Sequence, residues 1–254
     1  MSDIYPYSPK NLLTTSFSDE LKVFNNSRSK VISISLKPET AVLAGGHLAN
    51  AAYWFDDASG NWVSSTYYFD SLPNWVTAFN QKKYADLYLT REWMPFFAEE
   101  KYHNGSTKGI SGDVGFSADN KFSKKVTSFI KKDAQYGLLK ANPYGNLLTK
   151  DFAHSAIIED SLGNDDYTDY LNIGFGPNAK VSEACGPNSV ELEDMYIRLD
   201  RDLEHLLQFV DEQFGKQNVL IYLTSDHGTS YNPEEMATRK IPAGEFNSED
   251  RKRT

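Results

Sequence analysis

The stretch Val219-Leu220-Ile221-Tyr222-Leu223-Thr224-Ser225-Asp226-His227-Gly228 decides the reading of this chain. Its first six residues are uncharged and free of Gly and Pro. That pattern predicts a strand buried on both faces within a parallel sheet. Open α/β sheets gather ligands at the carboxyl ends of their strands. Asp226 and His227 would emerge side by side at such an end. A carboxylate oxygen next to an imidazole nitrogen suits a divalent metal, and Gly228 is expected to let the backbone turn away sharply. The plainer alternative is an Asp capping the next turn beside a surface His. The preceding strand favours the metal.

Working outward, a long helix is expected from Ser189 to Phe214. Leu192, Met195, Leu199, Leu203, Leu206, Val210 and Phe214 recur every three or four residues, and Gly215 stands where a helix stops. A strand is expected within Thr168 to Phe175, centred on Tyr170-Leu171-Asn172-Ile173. Strand, helix, strand in that order implies a right-handed crossover in an α/β sheet. Asn146 to Asp160 reads as helical. Val31 to Leu36 alternates apolar and small residues and reads as a strand, followed by a turn-rich segment from Leu43 to His47. Ala51 to Phe55 and Trp62 to Phe69 form a predicted hairpin around Asp56-Asp57-Ala58-Ser59-Gly60. A short helix is expected from near Leu72 through Phe79, and helical character between Ser8 and Asn26. Three regions result: 1–83, part of the core with a hairpin; 84–144, an irregular insertion or cap; and 145–254, core carrying the Asp-His-Gly turn.

With 40% hydrophobic and 24% charged residues, the 254-residue chain has the composition of a globular protein. A net charge of −9 disfavours nucleic acid as a partner. The cluster Lys121, Lys124, Lys125, Lys131 and Lys132 reads as the solvated face of a helix. No apolar run approaches the roughly 20 residues of a membrane span, and Met1 to Lys10 is not a signal peptide. Cys185, the single cysteine, reads as a small buried residue. His47 reads as a structural hydrogen-bonding residue behind a Gly-Gly pair, lying under the insertion or cap, rather than as a metal ligand.

Three segments together resemble the alkaline phosphatase superfamily, most closely its nucleotide pyrophosphatase/phosphodiesterase branch with its periplasmic phosphatases. One is Tyr196 to Leu203 followed by Thr224-Ser225-Asp226-His227-Gly228. The others are Ala44-Gly45-Gly46-His47 with Ala49 to Phe55, and Pro143-Tyr144-Gly145-Asn146 with Thr149 to Ala153. The resemblance implies a mostly parallel sheet flanked by helices with a smaller cap. It also implies a periplasmic or secreted location and two zinc ions about 4 Å apart that clamp an in-line phosphoryl displacement. One ion would be held by an Asp and the Asp-His pair. The other would be held by an Asp, a His four residues later and a distant His.

This chain departs from that pattern. Asp226 and His227 match the pair. Counting back from Gly186-Pro187, the Asp-x-x-x-His positions fall on Ala179 and Glu183. Alanine cannot ligate, and Glu183 is the substitute ligand. The family's nucleophile and first Asp would lie upstream of Ser8, and its distant His beyond Thr254. The phosphate-contacting Lys-x-Arg pair is Lys37-Pro38-Glu39, so Lys37 is the candidate substrate contact while Glu39 would repel a phosphate dianion. An active relative sharing that triplet would prefer diesters or another ester. The alternative is that Lys37 merely ends an edge strand in solvent.

The expectation is therefore a member or fragment of a phosphate-ester hydrolase family, catalytically incomplete, with no assignable catalytic residue and at most one weakly bound ion at Asp226, His227 and Glu183. The alternatives are an active zinc enzyme with substituted ligands and a non-catalytic binding protein. A phosphate ester is the expected small-molecule partner if the protein is active. Unpaired strand edges make a homodimer possible.

Overall fold

The computed structural model describes residues 7–103, 124–125, 136–231 and 233–244. Its centre is a four-stranded sheet in the order β3-β2-β1-β6. The strands are β1 (Val31–Ser35), β2 (Ala51–Asp56), β3 (Asn61–Val63) and β6 (Tyr170–Gly174). β2 and β6 run parallel to β1 on either side of it, and β3 returns antiparallel. A two-stranded ribbon pairs β4 (Glu92–Trp93) with β5 (Lys124–Lys125). The fold class expected from the sequence, an α/β sheet flanked by helices, is the one observed.

The alternation of apolar and small residues in β1 has a packing cause. Ile32 and Ile34 join the larger core with Tyr53, Phe55, Trp62 and Phe152. Helix α2 (Pro38–Gly45) packs on the other face. A Cβ on Gly45 would lie 3.3 Å from the Ser33 Cβ, so small residues are what let this helix approach. The buried hydroxyls stay satisfied: Asn172 Nδ2 donates to Ser33 Oγ at 3.0 Å, and Ser35 Oγ donates to the Gly174 carbonyl at 3.3 Å. Helix α5 (Pro143–Glu159) covers the Ile32 face, with α7 (Val190–Phe214) outside it.

The start of α7 is held by the Ser189 side chain, which accepts from Leu192 N, and its end by Gly215 at φ +79°. α3 (Asn74–Gln81), β6 and α5 also fall where the sequence put them, and the hairpin forms, although its second strand is only Asn61–Val63 and does not run on to Phe69. Four expectations are corrected. Leu43 to His47 is the end of α2 and its exit, not a turn-rich segment. The helical region between Ser8 and Asn26 divides into a 3-10 turn at Pro9–Asn11 and α1 (Phe17–Phe24). Lys124 and Lys125 form a strand rather than part of a helix, while Lys121, Lys131 and Lys132 lie outside the described residues. Most consequentially, residues 219–224 belong to no strand, and Leu220, Ile221, Tyr222 and Leu223 are 51% to 82% exposed. A strand needs a neighbour to accept its hydrogen bonds, and among the described residues no backbone hydrogen bond joins this run to another segment.

α1 is joined to α2 by a polar knot. Ser16 and Asp19 form a capping box. The Asp19 carboxylate also accepts from Leu48 N at 2.7 Å and faces His47 Nδ1 at 3.3 Å. His47 Nε2 lies 3.1 Å from the Leu12 carbonyl, which gives this histidine the structural role expected, although its partner is α1 rather than the insertion. Gly46 sits at φ +72°, and a Cβ there would lie 2.1 Å from Ser16 Oγ, so glycine is required. Burial raises the Asp19 pKa, but the N–H groups of Ser16, Leu48 and His47 and the Ser16 hydroxyl lower it further, leaving it about 2 against an ordinary 3.8. The unfolded chain therefore takes up this proton more readily. Stability from Asp19 is present above pH 3.8 and is lost as pH falls towards 2. Urea midpoints across that window should fall less in Asp19→Asn than in the unaltered chain.

Candidate functional site

Asp226 and His227 lie in extended chain after the exposed run, with side chains 89% and 68% exposed. His227 N donates to Asp226 Oδ1 at 3.0 Å, and His227 Nδ1 lies 2.8 Å from the Gly228 carbonyl. A proton on Nδ1 shared with that carbonyl leaves the Nε2 lone pair free to bind a cation. Nε2 is 3.8 Å from Asp226 Oδ2, so a hard oxygen and an imidazole nitrogen face the same space. Gly228 is not at positive φ, and a Cβ there would meet nothing within 4 Å. The sharp turn expected from it is not what the structure needs.

Glu183 lies on α6 (Pro177–Cys185), a helix the periodicity did not reveal, and its carboxylate pairs with Lys180 Nζ at 2.8 Å. Ala179 occupies the first turn of the same helix. Among the described residues, no group of three or more His, Cys, Asp or Glu side chains could hold a metal. A structural zinc takes four ligands and a catalytic zinc three plus water. The described donors do not fit a complete zinc site.

Lys37 follows β1 and is the N-cap of α2, with its N–H donating to Ser35 Oγ at 3.2 Å. β1 is a central strand, so Lys37 does not end an edge strand. Glu39 stands in the first turn of α2, where a carboxylate interacts favourably with the helix dipole. Among the described residues, no hydrogen bond or ion pair joins Lys37, Glu183 and the Asp226-His227 pair. Cys185 is buried, as expected.

Sequence periodicity missed the polar centre of α7. Asp194 is fully buried and accepts from Trp93 Nε1, Phe96 N, Tyr102 OH and Arg198 Nε. Its signal was present: Glu191, Asp194 and Arg198 recur at helical spacing beside the apolar stripe.

The model of the type I phosphodiesterase / nucleotide pyrophosphatase family matches residues 17–252. Alkaline phosphatase PhoV of Synechococcus elongatus is 39% identical over 239 residues, covering 93% of this chain and 43% of PhoV. A Myroides odoratus protein named calcium-transporting ATPase is 38% identical over 245 residues, covering 95% of this chain and 44% of that protein. The crystal structure of wild-type alkaline phosphatase PafA superposes with a TM-score of 0.89 at 34% identity, covering 96% of this chain and 47% of PafA. The chain thus spans less than half the length of these relatives, and among the described residues no helix is long and apolar enough to cross a membrane. On its sequence and its fold alike, the chain belongs to the type I phosphodiesterase / nucleotide pyrophosphatase family of the alkaline phosphatase superfamily.

Proposed function

We propose that these residues carry the frame of a metal-dependent phosphate-ester hydrolase together with half of one metal site, and do not by themselves assemble a catalytic centre. The observation that carries this reading is the donor set. Asp226 and His227 offer two adjacent, outward-facing ligands, while Ala179 has no donor and Glu183 is engaged by Lys180. Two donors hold a cation weakly. A two-metal mechanism needs both ions fixed against the attacking and leaving oxygens. Zinc, when bound in such centres, supplies that charge stabilisation. This chain's own residues would contribute one carboxylate and one imidazole to it, and Lys37 as a contact for phosphoryl oxygens.

The test is zinc stoichiometry combined with turnover. The purified chain should bind at most one zinc, weakly, and hydrolyse neither a chromogenic phosphate monoester nor a diester. The weak binding should disappear in Asp226→Ala. Two tightly bound zinc ions, with turnover abolished by that substitution, would make the chain an active enzyme with substituted ligands and overturn the reading.

A further inference from the structure

Buried amides cluster where α5 and α6 begin. Asn142, the N-cap of α5, is engaged at both ends: its Oδ1 accepts from Tyr144 N at 2.9 Å and its Nδ2 donates to the Leu138 carbonyl at 2.8 Å. Asn146, near the start of α5, and Asn178, in the first turn of α6, engage each other, with Asn146 Nδ2 donating to Asn178 Oδ1 at 2.7 Å. That contact uses one end of each amide. The other ends, Asn146 Oδ1 and Asn178 Nδ2, are closed off from solvent and have no hydrogen-bond partner among the described residues. Asn146 is 1% exposed and Asn178 7%. The described residues do this sealing by themselves, so it does not depend on any further segment. The two helix starts are pressed together here: a Cβ on Gly145 would lie 2.8 Å from Pro177 Cγ and 2.0 Å from the Leu139 carbonyl oxygen.

A buried polar atom without a partner is costly, and the two left over define what completes them. One is a donor and the other an acceptor. An anion would suit Asn178 Nδ2 and be repelled by Asn146 Oδ1, and a cation would do the reverse. Exchanging oxygen and nitrogen in both amides keeps their mutual hydrogen bond and again leaves one donor and one acceptor. The complement is therefore the same whichever way the amides face: a small neutral group that both donates and accepts.

We propose that one internal water bridges Asn146 and Asn178 between the starts of α5 and α6. It donates to the amide oxygen of one and accepts from the amide nitrogen of the other. α6 has no side-chain cap at Gly176, and Pro177 carries no N–H. The backbone N–H groups of the first turn are thus available for the last of the about three hydrogen bonds that a buried water makes. The bridge ties the helix that carries Ala179 and Glu183 to the start of α5. It stands independently of any metal bound at Asp226 and His227.

The test is a crystal structure of the 254-residue chain at a resolution that orders single waters, joined to a count of long-lived internal waters in solution by magnetic relaxation dispersion of the water oxygen. Density for one water within hydrogen-bond reach of both side chains is expected. The paired substitution Asn146→Leu and Asn178→Leu removes both amides while keeping their approximate volume. It should retain the circular dichroism of the unaltered chain and lose one water from the count. If the paired variant does not fold, the density in the unaltered chain decides. No density between the amides overturns the proposal. So do amides that turn into a reciprocal pair with two direct hydrogen bonds, an ion or side chain in the water's place, or an unchanged count in the folded variant.

Discussion

Phe152→Ala is expected to cost ~3–5 kcal/mol of folding stability, a large share of the roughly 5–15 kcal/mol that holds a typical domain together. The ring is fully buried on α5 where it meets the sheet. Trp62 stacks on it at 4.2 Å, and Trp75, Phe79 and Tyr53 surround it at 5.0, 5.1 and 5.3 Å. Residues from β2, β3 and α3 therefore meet on one side chain, and four large, stiff rings cannot collapse into the space it leaves. Aromatic pairs add about 0.5–1.5 kcal/mol each beyond area burial, though not additively. The upper part of the range is therefore expected. Phe152→Leu, which retains most of the volume, should lose much less. Phe24→Ala, at an exposed position on α1, should stay within about 0.5 kcal/mol. Equilibrium urea unfolding followed by tryptophan fluorescence reads all three.

Asp194→Ala is the second large effect, about 3–5 kcal/mol, because breaking a buried ion pair leaves the partner charge uncompensated. Arg198 Nε and Trp93 Nε1 each donate to Asp194 Oδ2 at 2.6 Å, while Phe96 N at 2.7 Å and Tyr102 OH at 2.6 Å donate to Oδ1. One carboxylate thus fastens the segment from Trp93 to Tyr102 onto α7. Its removal should loosen that segment before the sheet. Amide exchange should rise from Trp93 to Tyr102 while β1 and β2 remain protected. Asp194→Asn keeps the shape but not the charge and should fall between the two. Burial and the hydrogen bond to Asp194 push the Tyr102 pKa up to about 12 from an ordinary 10.0. In Asp194→Ala the phenol should titrate closer to 10.0 by ultraviolet absorbance. No change in that titration would remove Tyr102 from the network.

What the two variants probe was unequally visible in the sequence. The helix bearing Asp194 was legible end to end, because its cap, its apolar spacing and its terminal glycine are all local features. The buried carboxylate was not, since nothing within α7 announces that Trp93, Phe96 and Tyr102 will converge on it. α2 was hidden for a related reason. Gly45 and Gly46 read as a turn, yet glycine is there so that α2 can lie close to Ser33 and so that Ser16 and Asp19 can fit against its end.

The candidate site divides along the same line. The sequence by itself determined the family, the adjacency of Asp226 and His227, and the strand-forming character of Val219 to Thr224. Each follows from residues that are neighbours in the chain. Only the tertiary structure decided that this run lies outside the sheet, that Lys37 follows a central strand, and that Glu183 is paired with Lys180. The physical reason is that a strand's hydrogen bonds and a metal's ligands come from segments far apart in sequence. Local pattern can specify what a segment is suited to do, but the fold alone supplies, or withholds, its partner.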